Sequence, residues 1–263
     1  MDTPAPPVLL ATRPAPGVAW LTLNRPQARN ALSTGLMAAL DVALMQAEAD
    51  PKVRAVVIAG AGPAFCAGHD LRELRADPSE KAMRTVFGQC SALMMRIVRL
   101  RKPVIARVHG VATAAGCQLV ATCDLAVAGE SARFATPGVN IGLFCSTPMV
   151  ALTRAVGRKA AMEMLLTGEM VAAAEAKALG LVNRVVPDEA LDAAVLALAG
   201  GIAAKSPLTL AIGKEAFYRQ AELGLDEAYA YAAEVMTRNM MTHDAAEGID
   251  AFIARRAPCW TGT

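Results

Sequence analysis

Two short stretches have the composition that chemistry at a carbonyl group needs. The first runs from Val104 to Asp124. It opens with an apolar run, Val104 to Val108, behind Lys102-Pro103, which predicts a buried strand whose start is set by proline. Small residues follow from Gly110 to Gly116, and Cys117 to Ala121 reads as the first turns of a short buried helix. A strand, a small-residue loop and a helix start leave several backbone N–H groups without partners. Together with the positive end of the helix dipole they suit negative charge, and small side chains let a ligand approach the backbone. A tightly packed crossover would use the same small residues. The second stretch, Gly60 to Leu71, repeats the pattern after the apolar run Val53 to Ala59. Two such loops could each offer one N–H to the same carbonyl oxygen, the oxyanion hole that acyl-transfer and enolate chemistry requires.

The elements that must position these loops can be read in order. Val8 to Leu10 and Val18 to Leu23 read as strands around the turn Pro14-Ala15-Pro16-Gly17. Ser33 is a plausible N-cap for a helix to about Ala49, with Leu36, Leu40 and Leu44 on one face. Arg72 to Ser79 is charged, carries Pro78 and reads as a loop or loose helix; Glu80 to Leu100 reads as a long helix. Leu125 to Ala128, Ala132 to Ala135 and Val182 to Val186 are further strands, with helices between them at about Met149 to Val156, Lys159 to Thr167 and Ala173 to Leu179. Four helices follow, Glu189 to Lys205, Pro207 to Gln220, Leu225 to Met241 and Ala245 to Ala254. Strands and helices interleave up to Pro187 and helices alone follow, which argues for an α/β core with a helical C-terminal part.

Composition narrows the function classes. The 263 residues suffice for one large domain or two small ones, and the net charge of +2 with no basic run interleaved with aromatics argues against nucleic acid as a partner. The apolar fraction of 54% fits close-packed alanine-rich helices or a large buried subunit interface. Met1 to Pro7 lacks the basic segment and apolar core of a signal peptide, and no apolar run is long enough for a membrane span. Six cysteines without a Cys-x-x-Cys pair fit a reduced, cytoplasmic chain with buried thiols. His69, His109 and His243 lie too far apart in sequence to support a metal site, and no metal or separate cofactor is expected. Gly60-x-Gly62 lacks the third glycine of a dinucleotide fingerprint.

Several motifs in order resemble the crotonase (enoyl-CoA hydratase/isomerase) superfamily. They are Asn24-Arg25-Pro26 with Asn30-Ala31-Leu32, Phe65 to Leu71, Ala115-Gly116-Cys117-Gln118-Leu119, Cys123-Asp124, Phe134 to Pro137, Leu166-Thr167-Gly168 and Gly180-Leu181-Val182. The match runs from about Gly17 to about Pro187. Gly68 to Leu71, Ala112 to Val120 and Phe134 to Pro148 most resemble the subgroup called enoyl-CoA hydratase domain-containing protein 3.

The resemblance implies an α/β fold, a crotonase-like spiral of strand-strand-helix repeats with a C-terminal helical region. Residues 1–190 would form the core with the acyl-CoA site. Residues 191–263 would serve trimer contacts and cover the ligand, in a homotrimer or dimer of trimers. The implied substrate is an acyl-CoA thioester, with coenzyme A as part of it, and the implied activity is of the lyase or isomerase type, with no membrane partner. The two oxyanion N–H groups would belong to His69 and Ala115. Relatives hold the adenine and pantetheine against backbone at positions matching Arg25, Ala28, Ala64, Ala67 and Asp70; Gly68, Gly116 and Cys145 are further candidate substrate-binding positions, with buried packing the alternative for Cys145. Arg25 and Arg29 are candidates for the phosphates, while Lys214 reads as a solvated surface charge.

One departure matters. Hydratases of this superfamily use two glutamates to position water and move protons, and these would fall at Gln118 and Gly138. Neither is a carboxylate, so the ordinary hydration mechanism has no support. The His69 ring, Cys145 or Ser146 could stand in. The readings left open are an enzyme of the hydratase/isomerase type using replacement groups, another reaction of the same hole such as decarboxylation or thioester hydrolysis, and a non-catalytic acyl-CoA-binding protein. On this reading Gln118→Glu combined with Gly138→Glu raises hydration.

Overall fold

Residues 6–263 are described by a computed structural model. The chain opens with an antiparallel pair, β1 (Leu9–Ala15) and β2 (Val18–Leu23), followed by helix α1 (Thr34–Ala49). A repeated unit comes next. β3 (Ala55–Gly60) and β4 (Ala64–Cys66) lead to α2 (Leu71–Ala76) and α3 (Glu80–Arg99). β5 (Val104–Val108) and β6 (Val111–Thr113) lead to α4 (Ala115–Thr122). β7 (Leu125–Gly129) and β8 (Arg133–Ala135) lead to α5 (Ser146–Ala155) and α6 (Arg158–Thr167). After β9 (Val171–Ala172), α7 (Ala173–Leu179) and β10 (Arg184–Val186), the chain ends in α8 (Leu191–Ala203), α9 (Pro207–Gln220), α10 (Leu225–Met240) and α11 (His243–Ile253).

The first strand of each repeat joins a six-stranded sheet of order β1-β2-β3-β5-β7-β10, and the second joins a four-stranded sheet of order β4-β6-β8-β9. From β2 to β10 the large sheet is parallel. Each repeat therefore advances one place in both sheets, the strand-strand-helix spiral that the resemblance implied. Parallel strands covered on both faces read as unbroken apolar runs. β3 is buried at every position: Val56 and Ile58 face one core, Ala55 and Val57 the other. The second core is closed by Leu191, Val195 and Ala199 of α8, spaced to share one face of that helix. Burying each such leucine or valine is worth roughly 1.5–3 kcal/mol. The apolar run in α8 is thus a packed helix, and among the described residues no single helix is long and apolar enough to cross a membrane.

Several local expectations are corrected. β1 extends to Ala15, well past Leu10. The segment after Asp70 forms the regular helix α2, because the Asp70 carboxylate accepts from Arg72 N (3.1 Å) and Glu73 N (3.4 Å) and caps it. α5 begins at Ser146 rather than Met149. β4, β6 and β9, of two or three residues, were not anticipated as strands. Of the six free thiols, five are buried and Cys259 is exposed.

Candidate functional site

The two loops singled out above meet where β4 and β6, neighbours in the small sheet, run into α2 and α4. Leu32 N donates to Gly68 O (2.7 Å) and Asp70 N donates to Leu32 O (3.2 Å). This parallel bridge steps over His69, whose N–H has no acceptor among the described residues. On the other loop Ala114 N donates to Ala135 O (2.9 Å), and Ala115 opens α4 with no side-chain cap. Its N–H is one of the orphan donors of a helix start. Gly68 (φ +98°) draws the loops together: a Cβ there would lie 2.9 Å from Ala114 Cβ, 3.1 Å from Thr113 O and 3.4 Å from Ala115 N. Gly116 is pressed against the Cys66 carbonyl, and Thr113 Oγ1 donates to Ala67 O (3.2 Å).

Ala114 carries backbone strain, at φ +50° and ψ −119°, a region that favours glycine. Ala114→Gly is expected to raise the unfolding free energy by about 1 kcal/mol, the relief of strain outweighing the added chain entropy. Urea unfolding midpoints check this.

Beneath the loops Asn30 acts as a strut. It is fully buried; its Oδ1 accepts from Arg25 N (2.9 Å), and its Nδ2 donates to Ala61 O (2.8 Å) and Ala64 O (2.7 Å). Asn30→Ala leaves two carbonyls and one N–H without these bonds and should cost about 2 kcal/mol of stability, measured by the same unfolding experiment. Asn30 stands in the motif that carries the resemblance, but its role was not foreseen. Arg25 is engaged within the chain: Nη2 donates to Asp70 Oδ2 (2.8 Å) and Nη1 to Ala31 O (2.6 Å). That guanidinium holds the Asp70 carboxyl below its ordinary range. Arg29 is exposed at φ +49°, with no ion-pair partner among the described residues, and its carbonyl accepts from Ala67 N (3.0 Å). Ala28 closes the turn with Arg25 O, and Ala64 is buried.

The His69 ring packs edge-on against Phe87 of α3, with centroids 5.4 Å apart, and its Nε2 is buried without a partner among the described residues. Burial lowers its pKa, opposed by the Glu73 charge, so the ring is neutral at neutral pH. Gln118, on the next turn of α4 after Ala115, is buried and accepts a weak hydrogen bond from Cys90 Sγ (3.9 Å). Gly138 lies in the 3-10 turn Pro137–Ile141, and there is no space for a side chain. A Cβ would lie 2.5 Å from Leu143 O and 2.9 Å from Cys145 Sγ. Cys145 is buried, and burial pushes its thiol pKa up, opposite to what a nucleophile needs. Ser146 Oγ donates to Phe144 O (3.3 Å).

Lys214 is no surface charge. Its Nζ is buried and contacts Asp124 Oδ2 (2.6 Å), Ile97 O (2.9 Å) and Lys102 O (3.1 Å), while Tyr218 OH donates to Asp124 Oδ1 (2.8 Å). This cluster ties α9 to the core. No sequence signal within ninety positions could have paired these groups.

The class of protein follows from fold and sequence together. The family profile described as enoyl-CoA hydratase/isomerase matches residues 14–263, and the chain belongs to that family, within the crotonase superfamily. A Xenopus laevis protein named enoyl-CoA hydratase domain-containing protein 3, mitochondrial, is 47% identical over 245 residues, covering 93% of this chain and 83% of the relative. The human crystal structure of that protein superposes with a TM-score of 0.93 at 43% identity, covering 96% of this chain and all of the other. An enoyl-CoA hydratase crystal structure from Mycobacterium smegmatis gives 0.94 at 57% identity, with 97% and 99% covered. Within the family the chain falls in the enoyl-CoA hydratase domain-containing protein 3 subgroup.

Proposed function

We infer that this protein binds an acyl-CoA thioester and stabilises negative charge on its carbonyl oxygen with the N–H groups of His69 and Ala115. The observation that carries this is the contact of the two loops at Gly68 and Ala114, each loop having an N–H beside the contact with no acceptor among the described residues. One such donor is worth roughly 3 kcal/mol in a transition state. A thioester held there becomes more acidic at its α carbon and more electrophilic at its β carbon. The exposed Arg29 is the better placed phosphate ligand, since Arg25 is engaged with Asp70. Coenzyme A enters as part of the substrate, with no separate cofactor.

The acid–base equipment of a hydratase is missing from this reading. Gln118 cannot move a proton at useful pH, though its amide can hold a water, and Gly138 contributes no functional group. We therefore favour chemistry that needs the hole more than a glutamate pair, namely decarboxylation or thioester hydrolysis. Binding without turnover is the second reading, favoured by the unactivated Cys145 thiol. The exposed apolar residues of the C-terminal helices, among them Tyr229, Met241, Phe252 and Ile253, fit subunit contacts in a homotrimer or dimer of trimers. That role falls to α9–α11, since α8 packs on the large sheet.

A panel assay tests the proposal. Crotonyl-CoA, a 3-enoyl-CoA, a malonyl-type CoA and a saturated acyl-CoA are supplied in turn, with binding and products followed. Binding of acyl-CoA without hydration of crotonyl-CoA is the expected result. Conversion of crotonyl-CoA to the 3-hydroxy product at ordinary enzymatic rates would refute the reading of positions 118 and 138. Failure to bind any of the four would refute the acyl-CoA site itself.

A further inference from the structure

The turn from β3 to β4, residues 60–64, is held by more than Asn30. His109, in the residues that follow β5, places its Nε2 2.8 Å from Gly62 O. A carbonyl only accepts, so this contact puts the ring proton on Nε2. Beside it Gly110, at φ +61°, sits so close to the turn that a Cβ there would run into the Pro63 carbonyl, and it forms an antiparallel bridge with Ala64. Gly62 in turn presses on the segment that follows β2: a Cβ at Gly62 would lie 2.5 Å from Pro26 Cβ and 3.4 Å from Pro26 Cα. Pro26 stands between Arg25 and Ala28, both candidate substrate positions, and Ala64 is another. His109 therefore backs three of those positions through an unbroken run of contacts. Its Nδ1 is buried and has no partner among the described residues.

We propose that His109 is a positioning residue of the acyl-CoA site: as a neutral ring it fixes the 60–64 turn and, through Pro26, the segment 25–29, and its protonation loosens both. The proposal rests on the acyl-CoA reading above and adds a proton-sensitive hold on the coenzyme A end of the ligand. A second proton would have to sit on Nδ1, where no acceptor faces it and burial penalises charge. Burial accordingly holds the His109 pKa below its ordinary value; the Gly62 hydrogen bond opposes this, Arg107 adds to it, and the Asp192 and Asp188 charges oppose it. Among the described residues the charged groups facing the ring are Arg107 of β5, ion-paired with Asp192 of α8 (2.7 Å), and Asp188 in the turn before α8. Residues 60–64 themselves carry no titratable side chain. Because the folded-state pKa is lowered, the hold is complete above the ordinary histidine value and is lost as pH falls through the lowered one.

Calorimetric binding of butyryl-CoA to the wild type, His109→Gln and His109→Ala, at about pH 7.5 and about pH 5, tests this without any need for turnover. Glutamine can still donate to Gly62 O but does not titrate. At the higher pH His109→Gln should bind like the wild type, while His109→Ala, which lacks the hydrogen bond, should bind about fivefold more weakly. On going to the lower pH the wild type should lose about threefold more affinity than His109→Gln. The ligand's own phosphates titrate in both proteins alike and cancel in that comparison. Equal losses in the two, or wild-type affinity in folded His109→Ala, would overturn the proposal while sparing the acyl-CoA site. If a variant fails to fold, nitrogen NMR of the His109 ring in the wild type decides: bound butyryl-CoA should lower its pKa, as reciprocal linkage requires, and a pKa that the ligand leaves unmoved would overturn the proposal. A wild type that binds no butyryl-CoA at either pH would sink the acyl-CoA reading and this proposal together.

Discussion

Replacing Lys214 with methionine lowers the free energy of unfolding by about 4 kcal/mol. The Lys214 and Asp124 side chains are 7% and 15% exposed, so loss of the cation strands a carboxylate in a low-dielectric site. Burial pushes the Asp124 carboxyl above its ordinary value; Lys214, the Val104 N–H and the Tyr218 hydroxyl pull it back. Without Lys214 the folded-state value rises further above the unfolded one. The folded state then binds the proton more readily, so stability is lost as pH rises from the ordinary carboxyl value through the raised one. The deficit of the variant should accordingly be smaller at about pH 5 than at about pH 8. Asp124→Asn in the Lys214→Met background should recover part of the loss, because no charge is then left alone. Urea unfolding at the two pH values provides the check, and a deficit below about 1 kcal/mol would show that water reaches the pair.

Gly138→Glu is expected to cost about 3 kcal/mol, and combining it with Gln118→Glu gives no hydratase. This reverses the expectation drawn from the sequence alone. A Cβ at position 138 would meet the Leu143 carbonyl at 2.5 Å, a backbone atom that cannot swing aside. Leu143 N also donates to Gly138 O (2.9 Å), so the turn would have to open. At position 118 a glutamate would replace a buried amide whose one side-chain partner among the described residues is the Cys90 thiol, and burial would keep it protonated. Thermal unfolding and a crotonyl-CoA hydration assay on the double variant decide the matter. A stable double variant that hydrates crotonyl-CoA would mean that the turn at 138 yields easily.

Much of the spiral is legible in the chain because its parallel strands are covered on both faces. Val53 to Ala59 and Val104 to Val108 read as strands for that reason, and the breaks after them mark the two loops. β4, β6 and β9 escape notice because two or three residues carry no periodicity. Asp70 could be recognised as a cap, yet its reach to Arg25, 45 positions earlier, could not. The types at 118 and 138 show which side chains are absent. Only coordinates show that the second position has no space for one.

The clasp of α9 has a consequence for how the chain reaches its native state. Lys214 Nζ joins Ile97 O across 117 positions and Lys102 O across 112, and β10 pairs with β7 across 57. Contacts so distant along the chain must overcome loop-closure entropy before they return any enthalpy. During synthesis the N-terminal repeats can stack in order of emergence, but the lysine that neutralises Asp124 arrives last. Until then a nascent chain carries that carboxylate without its lysine, so the docking of α9 is expected late in folding, after the repeats have stacked.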